Sequence, residues 1–239
     1  MVRKKYKRIL LKLTGELFGD KFGKGLDFAS VDRIARQIIN IHKNTGLELA
    51  IVVGGGNIFR GRERASDVDE VTADYMGMLA TVINGLALQE SLERQGVETR
   101  MMTAFEIKAV AEPYIRRRAI RHLEKGRIVI LTAGVGSPFF TTDSAAALRA
   151  VELKCDIVFK ATDVDGVYSA DPQKDPKAKL YKRISFDKAL KEDLQVMDAT
   201  AFAICRKNKM PIFVFNIKKL DKISSIVLGK EDVFGTLVG

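Results

Sequence analysis

The chain is poor in the residues that most often carry covalent or acid–base chemistry. Its 239 residues include only two cysteines and two histidines. Cys155 and Cys205 are isolated, which excludes a disulfide framework or a zinc site and suits a reducing compartment, so a cytoplasmic location is expected. His42 and His122 fall in separate helical segments and read as partly exposed helix residues, not as a catalytic pair. No apolar run approaches the ~18 residues of a membrane helix, so no span is expected. The basic start, Met1-Val-Arg-Lys-Lys-Tyr-Lys-Arg8, leads into a strand without a small-residue cleavage site, which argues against a secretion signal. The familiar phosphate motifs are missing too. Without G-x-x-x-x-G-K-[ST] a Walker-type NTPase is excluded, and without G-x-G-x-x-G after a strand a dinucleotide fold is disfavoured. The protein-kinase H-R-D and D-F-G pair is absent as well.

Apolar residues make up 46% of the chain and charged ones 29%, ordinary for a globular protein with a real core. The formal net charge is +10, with Lys and Arg gathered at Arg3–Arg8, Arg116–Arg127 and Arg206–Lys222. Nucleic acid would use such clusters. In Tyr114–Lys125, however, the basic residues alternate with Ile115, Ala119, Ile120 and Leu123 at helical spacing, the pattern of an amphipathic helix with a basic solvated face. Small anionic ligands and solvated surface are therefore expected, not a nucleic-acid footprint.

Strands and helices alternate along the chain. Strands are predicted at Arg8–Leu13, Glu48–Val53, Thr99–Thr103, Ile128–Thr132, Asp156–Ala161 and Ile212–Phe215. Helices are predicted around Ile34, Ile38 and Ile41 up to Gly46, over Val71–Gln95, Tyr114–Lys125, Ala145–Leu153, Ser185–Leu190 and Ala199–Asn208, with a short tail at the end. Met76, Met78, Leu79, Val82 and Ile83 read as core. The segment Asp163–Lys179 is turn-rich, broken by Asp171-Pro172 and Asp175-Pro176. This rhythm predicts an α/β fold, a mostly parallel central sheet with helices on both faces, whose ligands gather at the carboxyl ends of the strands. A change of texture near residue 155 suggests two lobes sharing that sheet, about 1–155 and 156–239, within a single domain.

Four loops fall at that edge: Thr14–Gly25, Gly54–Arg64, Ala133–Asp143 and Thr162–Pro172. The most informative is Ala133-Gly-Val-Gly-Ser-Pro-Phe-Phe-Thr-Thr-Asp143, which joins a buried strand to a helix capped at Thr142 or Ser144. A glycine-bearing loop that opens onto a helix N-terminus holds anions, because its N–H groups and the helix dipole favour negative charge. Lys12-Leu-Thr-Gly15, Gly54-Gly-Gly-Asn-Ile-Phe-Arg60 and Lys160-Ala-Thr-Asp-Val-Asp-Gly166 each join glycine backbone to a cation or hydroxyl straight after a strand. Several such loops in one chain point to a phosphorylated ligand.

At these residues the chain resembles the amino acid kinase family, and within it the bacterial uridylate (UMP) kinases. The resemblance runs from Lys7-Arg-Ile-Leu-Leu-Lys-Leu-Thr-Gly-Glu16 to Gly235-Thr-Leu237. Its most specific pieces are Asp74-Tyr-Met-Gly-Met-Leu-Ala-Thr-Val-Ile-Asn-Gly-Leu-Ala87, Gly136-Ser-Pro-Phe-Phe-Thr-Thr-Asp-Ser-Ala-Ala146, Lys160-Ala-Thr-Asp-Val-Asp-Gly-Val-Tyr168 and Val196-Met-Asp-Ala-Thr-Ala-Phe202. Thr14, Ser137, Tyr75 and Asp163 stand where the family more often has Ser, Asn, His and Lys. The resemblance implies a three-layer sandwich that transfers the γ-phosphoryl group of ATP, carried with Mg²⁺, to UMP. It implies Lys12 and Lys160 as the cations on the moving group and Asp143 as their organiser. ATP is expected at Lys12, Leu13, Thr14, Gly15, Gly56, Arg60, Thr162, Tyr168 and Asp171. UMP is expected at Gly54 and Gly55, at Asp74 through its ribose, and at Val135, Gly136, Ser137, Pro138, Phe139, Phe140, Thr141 and Thr142. A homohexamer is implied, with GTP and UTP as effectors reaching Arg100 and Arg127. Same-fold carboxylate or carbamate kinases and a nucleotide-sensing DNA-binding regulator are the alternatives. The acceptor of a UMP kinase is a phosphate already anionic at neutral pH, so no general base is needed and the shortage of histidine is no handicap.

Overall fold

The structure, a computed structural model, describes residues 5–60, 68–172, 174–175, 177–230 and 234–239. Arg3 and Lys4 of the first basic cluster, residues 61–64 of the second loop and Pro176 of the second breaker lie outside the described residues. Among the described residues, nine strands form one sheet in the order β4-β3-β5-β2-β1-β6-β8-β9-β7. They are β1 (Arg8–Leu13), β2 (Glu48–Val53), β3 (Thr99–Thr103), β4 (Glu112–Pro113), β5 (Ile128–Thr132), β6 (Ile157–Thr162), β7 (Arg183–Ile184), β8 (Ile212–Asn216) and β9 (Gly235–Val238). Every pairing is parallel except β8 with β9. The expected α/β architecture is thus present.

Buried parallel strands read as continuous apolar runs because both faces are covered, and Ile9, Leu10, Leu11 and Leu13 of β1 are all essentially inaccessible. Their side chains alternate between two cores. One face packs on α1 (Phe28–Thr45), α2 (Glu70–Arg94) and α7 (Ile223–Val227). The other packs on α3 (Arg116–Glu124), α4 (Thr142–Glu152), α5 (Phe186–Lys191) and α6 (Ala199–Lys207). Helix ends follow local chemistry. Asp27, Asp69, Ser185 and Asp198 cap their helices through side-chain oxygens, and Gly46 closes α1 in the left-handed region.

Several expectations need correction. The cap of α4 is Thr141, whose hydroxyl accepts from the N–H groups of Asp143 and Ser144, so the helix begins one to three residues before the predicted caps allow. The tail contains β9, an antiparallel strand that the short Gly235-Thr-Leu-Val238 run does not announce. Met78 and Val82 are core, but Met76, Leu79 and Ile83 are over two-fifths exposed. With Tyr75 and Leu86 they form an apolar row on the outer face of α2. His122 is buried, with Nε2 3.3 Å from Glu112 and Nδ1 facing the Arg127 guanidinium. Finally, α2 is long and apolar enough to cross a membrane by length and composition, with half of that stretch buried inside the protein. The expectation of no span counted uninterrupted apolar residues, whereas Thr81, Asn84 and several small residues interrupt α2 without lowering its mean much.

Candidate active site

β1 and β6 are adjacent and parallel, and their register sets Lys12 directly beside Lys160. Neighbouring strands lie ~4.8 Å apart, so two ammonium groups on one face repel unless an anion stands between them. Asp143, in the first turn of α4, supplies it. Its Oδ1 lies 3.0 Å from Lys12 Nζ and its Oδ2 2.6 Å from Lys160 Nζ. Lys160 Nζ also donates to the Val196 carbonyl at 2.8 Å. The cluster is largely withdrawn from water, with Lys12 only 8% exposed.

Burial opposes ionisation of Asp143, but Lys12 and Lys160 outweigh it, and the carboxyl stays below its usual range. Burial pulls the Lys160 ammonium below the ordinary lysine range, with Asp143 resisting and the Lys12 charge adding to the fall. The helix dipole of α4 further favours an anion at this place.

Asp198, the residue that caps α6, is the functional candidate that the sequence reading left without a role. It accepts a short hydrogen bond from the Thr141 hydroxyl and bonds from the Ser144 hydroxyl at 3.1 and 3.2 Å. The signal for it was an aspartate before a helix in Val196-Met-Asp-Ala-Thr200. The hydroxyl of Thr141 is thereby spent on Asp198 and on the cap, which leaves Thr142 as the neighbouring hydroxyl for a ligand. Lys12, Thr141, Thr142, Asp143, Lys160 and Asp198 all line one cavity of about 790 Å³, walled on the far side by Leu190, Phe202 and Arg206 of α5 and α6.

The other expected residues lie outside this cavity, on adjoining loops except for Leu13 at the end of β1, Asp74 in α2 and Thr162 at the end of β6. A Cβ at Gly15 would come 2.4 Å from the Gly56 nitrogen, so the first two loops touch backbone to backbone only because that residue is glycine. Thr14 leads into the Gly15–Phe18 turn and makes no cap bond, while Leu13 is fully buried and offers only backbone to the cleft. Arg60 donates to Glu16 at 2.7 Å and to the Gly56 carbonyl at 3.0 Å, tying the same two loops. Asp74 does not cap α2, since Asp69 does; instead it accepts from the Phe139 N–H at 2.6 Å. The loop from Val135 to Phe140 passes through positive φ at Gly136 and Phe139, leaving Ser137, Phe139 and Phe140 exposed and Val135 packed on the second core. Backbone held in such rare regions concentrates at ligand sites. On the far side, Thr162 turns on Val164, Tyr168 bridges to Leu180, and Asp171 is exposed near Lys174.

A mostly parallel α/β sheet with a Lys–Asp–Lys cluster and glycine loops at its carboxyl edge is suited to holding phosphoryl groups. The chain belongs to the amino acid kinase family, whose model matches residues 7–216. It is similar to the UMP kinase of Bacillus anthracis at 40% identity and TM-score 0.93, covering 98% of this chain and 96% of that one. It is also similar to the UMP kinase of Ureaplasma parvum, at 38% identity and TM-score 0.90 over 98% and 99% of the two chains. The uridylate kinase of Archaeoglobus fulgidus matches at 26% identity and TM-score 0.69 over 97% and 99%.

Proposed function

We propose that this protein is a UMP kinase that moves the γ-phosphoryl group of ATP onto UMP, giving UDP and ADP for pyrimidine nucleotide synthesis. The observation that carries the proposal is the buried Lys12–Asp143–Lys160 cluster at the sheet edge, in a chain alike end to end to two UMP kinases. The transferred group in such reactions carries its charge on equatorial oxygens, and catalysis is positioning plus electrostatic stabilisation. Lys12 and Lys160 neutralise that charge, and Asp143 keeps two mutually repelling ammonium groups fixed where it develops. Asp198 holds Thr141, and through it the α4 N-terminus that carries Asp143.

UMP lies over the first lobe, with its phosphate on Gly54 and Gly55, its ribose at Asp74 and its base among Val135–Thr142. ATP lies over the second at Thr162, Tyr168 and Asp171 and reaches across to Thr14–Gly15, Gly56 and Arg60 of the first. The Asp74 carboxylate, held by the Phe139 N–H through Oδ2, keeps Oδ1 as an acceptor for the ribose hydroxyls. The residues do not fit a protein-held metal cage. Asp143 is engaged by both lysines and Asp198 by two hydroxyls and its cap, and no cluster of three metal-ligating residues occurs among the described ones. Mg²⁺ therefore belongs with the ATP phosphates and supplies charge neutralisation there.

The assembly we propose is a homohexamer. The exposed row Tyr75, Met76, Leu79, Ile83 and Leu86 supports self-association, because a contiguous apolar face is costly to leave in water. Light scattering that shows a monomer at micromolar concentration would remove this reading. GTP activation and UTP inhibition are the effector responses proposed with it. Arg100 lies near Glu93 and Glu112, and Arg127 pairs with Glu98, so an anionic effector has acids to displace. A rate unchanged by GTP sinks that part alone.

The test of the function is to incubate the protein with Mg-ATP and each nucleoside monophosphate. UMP should be preferred over CMP by about tenfold or more in kcat/KM, since polar groups built for the uracil edge stay unpaired against cytosine. Equal turnover of both acceptors contradicts the proposal.

A further inference from the structure

We infer that Asn57 and Asn84 are positioning residues for the acceptor loop, and that their reciprocal amide pair sets the direction of the Gly55 N–H. The inference rests on the reading of Gly54 and Gly55 as the seat of the acceptor phosphate.

Asn84 sits fully buried in the middle of α2, and Asn57 is 5% exposed beneath the second glycine loop. A carboxamide in such a place is unfavourable unless its polar atoms are bonded, and an apolar residue of similar size would fill the space as well. These two are bonded in one specific way. Asn84 Nδ2 donates to the Gly54 carbonyl and to Asn57 Oδ1, both at 2.7 Å. Asn57 Nδ2 donates back to Asn84 Oδ1 at 3.0 Å and to the Gly25 carbonyl at 2.6 Å. The backbone of Asn57 then receives the Gly25 N–H at 2.8 Å. Both hydrogens of each amide are engaged, so neither side chain can flip without setting an oxygen against a carbonyl.

The link to function is the geometry of one peptide. A trans peptide is planar, with its carbonyl and N–H on opposite sides. With the Gly54 carbonyl held toward Asn84, the N–H of Gly55 must point away from α2. The loop has no other choice of height. A Cβ at Gly55 would come 2.7 Å from the Gly77 carbonyl and 2.8 Å from the Ala80 Cβ, so the backbone lies flat on the helix at this point. An N–H donor fixed in this way before the ligand arrives costs no reorganisation when a phosphate binds. General packing of α2 does not require a donor at residue 84; holding this peptide does.

Two variants separate positioning from packing. Asn84→Asp keeps size and an acceptor for Asn57 but has no donor for Gly54, and Asn84→Leu removes the donor at similar size without adding charge. Either should raise the KM and the directly measured Kd for UMP by about tenfold or more, the effect of misaligning one hydrogen bond to a charged ligand. The KM for ATP should stay within about twofold on the same grounds. Asn57→Asp keeps the Asn84–Gly54 bond and should disturb UMP less. In wild-type protein labelled with ¹⁵N-glycine, adding UMP should shift the Gly55 amide resonance, a readout that needs no variant to fold. The inference is overturned if a folded Asn84 variant binds UMP as wild type does, if the UMP and ATP constants rise together, or if the Gly55 resonance does not move. Should wild type use an acceptor other than UMP, the same constants are read with that acceptor. That outcome removes the UMP reading and leaves this one standing.

Discussion

The proposed reacting centre and the loops around it are built differently. Lys12, Asp143 and Lys160 are buried, mutually paired and rooted in two strands and a helix start. Ser137, Phe139, Phe140 and Asp171, expected to touch the nucleotides, are exposed and sit on loops. Charge that must be in place before the phosphoryl group moves is assembled in advance, whereas surfaces that only need to close on a ligand are left for it to complete. Changes in the first region should therefore appear in kcat, and changes in the second in KM.

The largest effect should come from neutralising a lysine. Lys12→Met or Lys160→Met removes one preorganised charge and is expected to lower kcat by ~10²–10³, with a much smaller change in the KM for UMP. Steady-state kinetics in both substrates checks this, and a pure KM effect would erase the contrast between the regions. Asp74→Ala is expected to do the reverse, raising the KM for UMP about tenfold while kcat changes little, because ribose contacts barely alter along the reaction. Thr141→Val lies between the two regions. It loses the α4 cap and the link to Asp198, and should cost ~1 kcal/mol in stability by denaturant melting, together with a drop in kcat. The smallest effect should be on the pH profile. Burial holds Lys160 below the ordinary lysine range, and the proposed role uses its protonated form. Activity should therefore fall as pH rises through a value below ~10.4, and a rate that stays flat to that pH would show that the Lys160 charge is not used.

Much of this contrast could be read before any coordinates. β2, β3 and β5 fall where their apolar runs place them, because a strand buried on both faces writes its limits in its own residues. Lys12, Asp143 and Lys160 were singled out through the family resemblance, and the fold brings the three side chains together. What was not legible depends on partners distant in sequence. Strand β9 exists because Gly235–Val238 finds the free edge of β8, which no local pattern reveals. Met76, Leu79 and Ile83 share a helix with Met78 and Val82, yet only the latter face the sheet; an α2 apolar on nearly every side hides which face is inward. The role of Asp198 needed α4 and α6 brought together, and that of Asn84 needed the glycine loop laid on α2.

The same reasoning names the residue on which the site turns. Asp143 separates two ammonium groups that would otherwise repel, and its substitution by asparagine keeps size while removing the charge. The most direct measurement is kcat and UMP Kd for Asp143→Asn, read side by side, with folding verified by thermal melting. A kcat lower by ~10² or more with UMP binding changed only a few-fold is the expected result. A folded Asp143→Asn protein that keeps wild-type kcat would contradict the account.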